Sequence, residues 1–140
     1  MTPNSAHLCK RILLVEDNPG DVDLILDALK NPLYAITVAS DGIEAMRLVR
    51  SHEKPTLILL DLNLPKKDGR QVLQEIKADP ELMQIPVVIL SSSDASRDLD
   101  QAYRLHANCY LTKPVDLDAF LEVIAGIARF WLEMVKLPNR

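Results

Sequence analysis

Acidic, hydroxyl and amine side chains close the short apolar runs of this sequence. Glu16-Asp17 follows Ile12–Val15, Asp61 follows Leu57–Leu60, Ser91-Ser92-Ser93-Asp94 follows Val87–Leu90, and Thr112-Lys113-Pro114 follows Cys109–Leu111. If these runs lie side by side, three carboxylates, a hydroxyl and an ammonium share one edge. Crowded carboxylates must protonate, disperse or bind a cation. A hard divalent ion is the natural solution, because Mg²⁺ takes oxygen ligands, keeps several waters and commonly binds one or two carboxylates plus a phosphate oxygen. Glu16, Asp17 and Asp61 set against Lys113 leave two uncompensated negative charges, which one Mg²⁺ cancels. A phosphoryl group on Asp61 would remove that carboxylate's charge and bring a dianion, leaving about one negative charge with metal and lysine in place. Aspartate is a competent nucleophile toward phosphorus, and phosphoryl transfer asks a protein mainly for positioning and charge neutralisation.

Such an edge needs a parallel sheet, and the spacing of apolar residues predicts one. Arg11–Val15, Tyr34–Ala39, Leu57–Leu60, Val87–Leu90 and Cys109–Leu111 read as five strands, three of them almost wholly apolar, as strands covered on both faces are. Between them, Val22, Ile25 and Leu29 keep helical spacing, as do Met46 and Val49, then Val72, Leu73 and Ile76, then Leu99, Ala102 and Tyr103. Asn18-Pro19 reads as an N-cap with proline in the first turn, and Ser40-Asp41-Gly42 and Asp68-Gly69 open the second and third helices. Repeated βα units with right-handed crossovers give an α/β three-layer sandwich, flavodoxin-like, with strand order 2-1-3-4-5. Ligands of such sheets bind beyond the carboxyl ends of the strands where the order reverses, which is where the polar residues stand.

The chain's 140 residues suit one domain, and 48% hydrophobic with 26% charged residues is a globular composition. A net charge of −4 speaks against gripping nucleic-acid phosphates. The apolar runs are too short for a signal peptide or a membrane span, so a cytoplasmic protein is expected. Cys9 and Cys109 would lie three strands apart, roughly 14 Å at ~4.8 Å per strand, which predicts free thiols. His7, His52 and His106 have no metal-site spacing and read as surface or capping residues. Gly20, Gly42, Gly69 and Gly126 form no glycine-rich phosphate cradle.

Leu14-Val15-Glu16-Asp17-Asn18, Leu59-Leu60-Asp61-Leu62-Asn63-Leu64-Pro65-Lys66-Lys67-Asp68-Gly69, Pro86-Val87-Val88-Ile89-Leu90-Ser91 and Lys113-Pro114 resemble, in order and spacing, the receiver domain of bacterial two-component response regulators. The resemblance implies that Asp61 is the phosphoacceptor. It further implies that Asp17 ligates Mg²⁺ directly, Glu16 through water and Asn63 through its backbone carbonyl. Ser91 would hydrogen-bond the phosphoryl group and Lys113 would pair with it. Tyr110 matches an aromatic that turns inward when the Ser91-type hydroxyl moves toward the phosphate. Asn63 and Ser93 take places that tune how fast water removes the group. Glu-Asp stands where Asp-Asp is commoner, and Ser where Thr is frequent. The resemblance covers a receiver domain over residues 10–127, after a tail over 1–9.

Residues 128–140 continue the apolar pattern through Phe130, Trp131, Met134 and Val135, and Phe130-Trp131-Leu132 is more apolar surface than one helix face buries on its own domain. Edge aromatics favour an interface, most simply a symmetric dimer using Tyr110, Phe130, Trp131 and Met134. The alternative folds the tail back on its own core or leaves it frayed. Leu105–Lys113 and Phe130-Trp131-Leu132-Glu133 resemble the small response regulators paired with cyanobacterial phytochrome histidine kinases. That implies a histidine-kinase donor, a homodimer, and signalling by protein contacts rather than by DNA binding or enzymatic turnover. A metal-dependent phosphatase with an aspartyl-phosphate intermediate would place a second acid where Asn63 stands. A receiver-like scaffold that is never phosphorylated is the other alternative.

Overall fold

The computed structural model describes residues 9–51 and 53–138. In chain order the elements are β1 (Lys10–Val15), α1 (Pro19–Ala28), β2 (Tyr34–Ala39), α2 (Gly42–Val49), β3 (Leu57–Leu60), α3 (Gly69–Ala78), β4 (Val87–Ser91), α4 (Ser96–Arg104), β5 (Cys109–Thr112) and α5 (Leu117–Ala128), then a π-helical segment, Arg129–Met134. The five strands are parallel in the order β2-β1-β3-β4-β5, as the βα alternation predicts. Three strands run one residue past the apolar runs, because pairing is a backbone property: Lys10 pairs with Tyr34 and Ser91 with Thr112.

Alternate residues of each apolar run serve opposite layers. Leu13, Val15, Ile58, Leu60, Val87 and Ile89 pack with Ala45, Met46 and Val49 of α2, Val72, Leu73 and Ile76 of α3, and Ala102 of α4. Ile12, Leu14, Leu57, Leu59, Val88 and Leu90 pack with Ile25 of α1 and with Phe120, Ile124 and Ile127 of α5. Each such aliphatic side chain stabilises the sandwich by roughly 1.5–3 kcal/mol on burial, so a one-residue register slip would cost both layers. The caps fall where expected: Asn18 Oδ1 accepts the Asp21 N–H at 3.0 Å with Pro19 in the first turn, Asp41 accepts from Glu44, and Asp68 forms a capping box with Gln71.

The tail divides the two expectations made for it. Leu132 is buried in the α1/α5 layer, and the extension is tied back by Lys10 Nζ donating to the Leu132 carbonyl and by Tyr34 Oη donating to Glu133 at 2.7 Å. Trp131 is half-buried against the same layer, whereas Phe130 and Met134 face out at 49% and 66% exposure. The Val135 N–H bonds the Phe130 carbonyl, an i→i+5 bond that marks the change from α to π winding.

Cys9 and Cys109 are free and half-buried. His106 is exposed with a left-handed φ of 71° where α4 ends, while His7 and His52 lie outside the described residues. Among the described residues no helix is long and apolar enough to cross a membrane.

Candidate functional site

Pairing of β1 with β3 sets Val15 beside Leu60, so the residues that follow these strands meet at the carboxyl edge. The Asp61 N–H donates to the Val15 carbonyl and the Glu16 N–H to the Ala39 carbonyl, both at 3.0 Å, which fixes the two backbones. One carboxylate oxygen each from Glu16, Asp17 and Asp61 lies within 4.8 Å of the others, with Glu16 and Asp61 buried and Asp17 exposed. This all-oxygen donor set, open on the Asp17 side, fits a hard divalent cation. Gly69 is required beside it: a Cβ there would stand 2.3 Å from the Asp61 carbonyl oxygen and 2.6 Å from Leu62 Cα.

Lys113 reaches the cluster from the end of β5, with its own N–H bonded to the Ser91 carbonyl at 2.7 Å. Its ammonium donates to Glu16 Oε1 at 2.6 Å, Asp21 Oδ2 at 2.8 Å and Asp61 Oδ2 at 3.2 Å. Backbone amides complete the carboxylates: Asn63 N–H donates to Asp61 Oδ1 at 3.1 Å and Asn18 N–H to Glu16 Oε2 at 3.2 Å. Burial pushes the Glu16 carboxyl up to about 7; the hydrogen bond from Lys113 opposes this and the charge of Asp61 adds to it. Burial works against the Lys113 ammonium, but hydrogen bonds to Asp21 and Glu16 together with the charges of Asp61 and Glu16 hold that group above its ordinary value.

Asp21 is the residue that the sequence left unmarked. It lies in the first turn of α1, where an acid already has a reason to be, complementing the helix N-terminus. Nothing in the spacing says that this turn faces Lys113. With Asp21 included, four carboxylates gather at this edge and three of them, Glu16, Asp21 and Asp61, pair with the one ammonium, one negative charge more than the three acids at the strand ends suggest.

Ser91, Ser93 and Tyr110 form a second cluster. Ser91 is fully buried, and its Oγ accepts the Ser93 N–H at 3.2 Å. Tyr110 points inward, its hydroxyl donating to the Ser93 carbonyl at 2.8 Å, and is only 9% exposed. Tyr110 therefore has little surface to give an interface. Phe130 and Trp131, stacked edge to face with centroids 5.4 Å apart, line an apolar groove of about 290 Å³ with Cys109, Leu111, Val123 and Ile127.

Residues 12–125 match the response regulator receiver domain. The chain belongs to that family. The receiver is 46% identical over 137 residues to the response regulator Rcp1 of Synechocystis sp., covering 92% of this chain and 93% of Rcp1. It superposes on the crystal structure of the phosphorylated cyanobacterial phytochrome response regulator RcpA with a TM-score of 0.90 and 47% identity, over 94% of this receiver and 99% of that chain. The Mn²⁺-bound form of Rcp1 gives a TM-score of 0.88 and 46% identity over 93% and 99% of the two chains. The receiver is thus a response regulator of CheY-like fold, similar to phytochrome-associated signalling proteins.

Proposed function

We propose that this receiver takes a phosphoryl group onto Asp61 from a histidine kinase, with a phytochrome as the kinase, in the cytoplasm, and signals through altered protein contacts rather than by turnover. The observation that carries this reading is the setting of Asp61, buried between the Asn63 N–H and the Lys113 ammonium, with Glu16 and Asp17 oxygens within 4.8 Å. An Asp61 carboxylate oxygen attacks phosphorus; its P–O bond forms as the P–N bond to the donor imidazole breaks, and the imidazole leaves. Mg²⁺, held by Glu16, Asp17, Asp61 and the Asn63 carbonyl, would offset the charge of the incoming oxygens. Lys113 is positioned to pair with the phosphoryl group, and Ser91 to donate its hydroxyl to it, with Tyr110 following Ser91. Asn63 and Ser93 flank the approach of water and set how long the group persists.

The domain that does this spans 10–127, after the tail 1–9. The extension 128–140 supplies Phe130, Trp131 and Met134 to a homodimer formed by α4, β5 and α5; the apolar groove beside Trp131 supports that surface.

Intact mass after incubation with Mg²⁺ and acetyl phosphate tests the reading. One phosphoryl group is expected on the wild type, and none on Asp61→Asn or with EDTA. No gain on folded wild type would favour the unphosphorylated scaffold, and release of many equivalents from a phosphate ester would favour a phosphatase.

A further inference from the structure

Ser93 is a junction. Its N–H reaches Ser91 Oγ at 3.2 Å, its carbonyl accepts the Tyr110 hydroxyl at 2.8 Å, and its own hydroxyl donates to Asp98 Oδ2 at 2.6 Å while accepting the Ala95 N–H at 3.3 Å. Asp98 is held in turn, since its Oδ1 accepts from Arg70 Nη2 at 3.0 Å. Arg70 is fixed on two further sides, with Nε donating to Gln101 at 3.1 Å and Nη1 to Asp68 Oδ2 at 3.2 Å. Asp68 caps α3, and Asp98 and Gln101 belong to α4. The ends of two helices are therefore joined through an arginine and a carboxylate to the serine that touches both Ser91 and Tyr110.

An exposed ion pair on a helix surface contributes little. This one differs in geometry: the Arg70 and Asp98 side chains are 23% and 17% exposed, and every donor and acceptor named above has a directed partner. Hydrogen bonds from Ser93 and then from Arg70 hold the Asp98 carboxyl below its ordinary range. Removing Arg70 takes away both of its bonds to α4, and removing Asp98 takes away the link between Arg70 and Ser93 while leaving Arg70 on Gln101; neither change touches a bond to Glu16, Asp17, Asp61 or Lys113.

We propose that Arg70 and Asp98 are positioning residues for phosphoryl capture. The pair clamps Ser93, and through it holds Ser91 and Tyr110 in the arrangement that receives a phosphoryl group on Asp61. The inference rests on Asp61 as phosphoacceptor. By linkage, a clamp that favours one arrangement of the segment strengthens any ligand that binds that arrangement, and the ligand strengthens the clamp.

Beryllofluoride with Mg²⁺, a stable mimic of an aspartyl phosphate, tests it by calorimetry on the full chain. Asp98→Ala and Arg70→Gln are each expected to weaken beryllofluoride binding about fivefold or more, the scale of ordinary coupling between sites. The double variant should be little weaker than either single one, because both break the same clamp. Asp98→Asn keeps an acceptor for the Ser93 hydroxyl and should recover part of the loss. Affinity for Mg²⁺ alone should not move, which separates positioning from general loosening. Wild-type beryllofluoride affinity in the folded variants, or an equal loss of Mg²⁺ affinity, overturns the clamp and leaves the phosphoacceptor standing. A wild type that binds no beryllofluoride overturns both.

Discussion

Lys113 lies closer to Asp21 than to Asp61: its ammonium donates to Asp21 Oδ2 at 2.8 Å and to Asp61 Oδ2 at 3.2 Å. With Glu16 at 2.6 Å, one cation serves three acids, one just past β1, one in the first turn of α1 and one just past β3. The lysine is a structural tie across the edge of the sheet before it is anything else. A phosphoryl group on Asp61 would draw on an ammonium already shared with α1.

Removing that cation leaves the carboxylates uncompensated. Lys113→Ala is expected to cost about 3–5 kcal/mol without divalent ions, as breaking one side of a buried ion pair does. Mg²⁺ should restore part of it, so thermal melts with and without the metal should differ more for Lys113→Ala than for the wild type. Equal Mg²⁺-induced shifts in the two proteins would contradict this account.

The raised Glu16 carboxyl is expected to make the proposed binding of a divalent cation depend on pH. That carboxyl is raised to about 7 from an ordinary 4.5, so the stability it gains by holding a proton is fully present below about 4.5 and is lost as pH rises through about 7. The metal requires the ionised form. Affinity for Mg²⁺ should therefore fall as pH drops below about 7, approaching tenfold per unit if one proton is displaced. Titrations of Glu16→Gln should be weaker throughout and lack this slope between pH 5 and 7.

The approach of α3 to β3 is a matter of space. Gly69→Ala would put its Cβ 2.3 Å from the Asp61 carbonyl oxygen and 2.6 Å from Leu62 Cα, both backbone atoms that cannot rotate aside. A loss of about 2–4 kcal/mol is expected, within the range of overpacking and close-contact substitutions. Chemical denaturation measures it, and Mg²⁺ affinity should fall with it because Asp61 shifts.

The extension offers a different test. Trp131→Ala empties one wall of the groove formed with Leu111, Val123 and Ile127 and should weaken self-association by tenfold or more if Trp131 anchors the dimer, in the ordinary range for a buried aromatic hot spot. Sedimentation across a dilution series reads this directly. An unchanged profile would leave the extension as an intramolecular brace.

The strand positions to within a residue, the caps of the first three helices and the meeting of Glu16, Asp17, Asp61 and Lys113 were legible in the chain. Apolar runs, proline and Asn or Asp caps are local signals, and five βα units leave little freedom in where the strand ends gather. Receiver membership was legible for the same reason, since its motifs sit on those ends. Local pattern could not reveal Asp21 on Lys113, a contact 92 residues apart, or Asp98 between Ser93 and Arg70. Each is a charged residue in a first helical turn, where composition is explained by capping and the helix dipole, and the partner depends on how the packed helix is rotated. The tail was decided the same way. Leu132 is buried while Phe130 faces out because Lys10 and Tyr34, at the far end of the chain, hold the π-helical segment against the first two strands, and no window of sequence contains both ends of that contact.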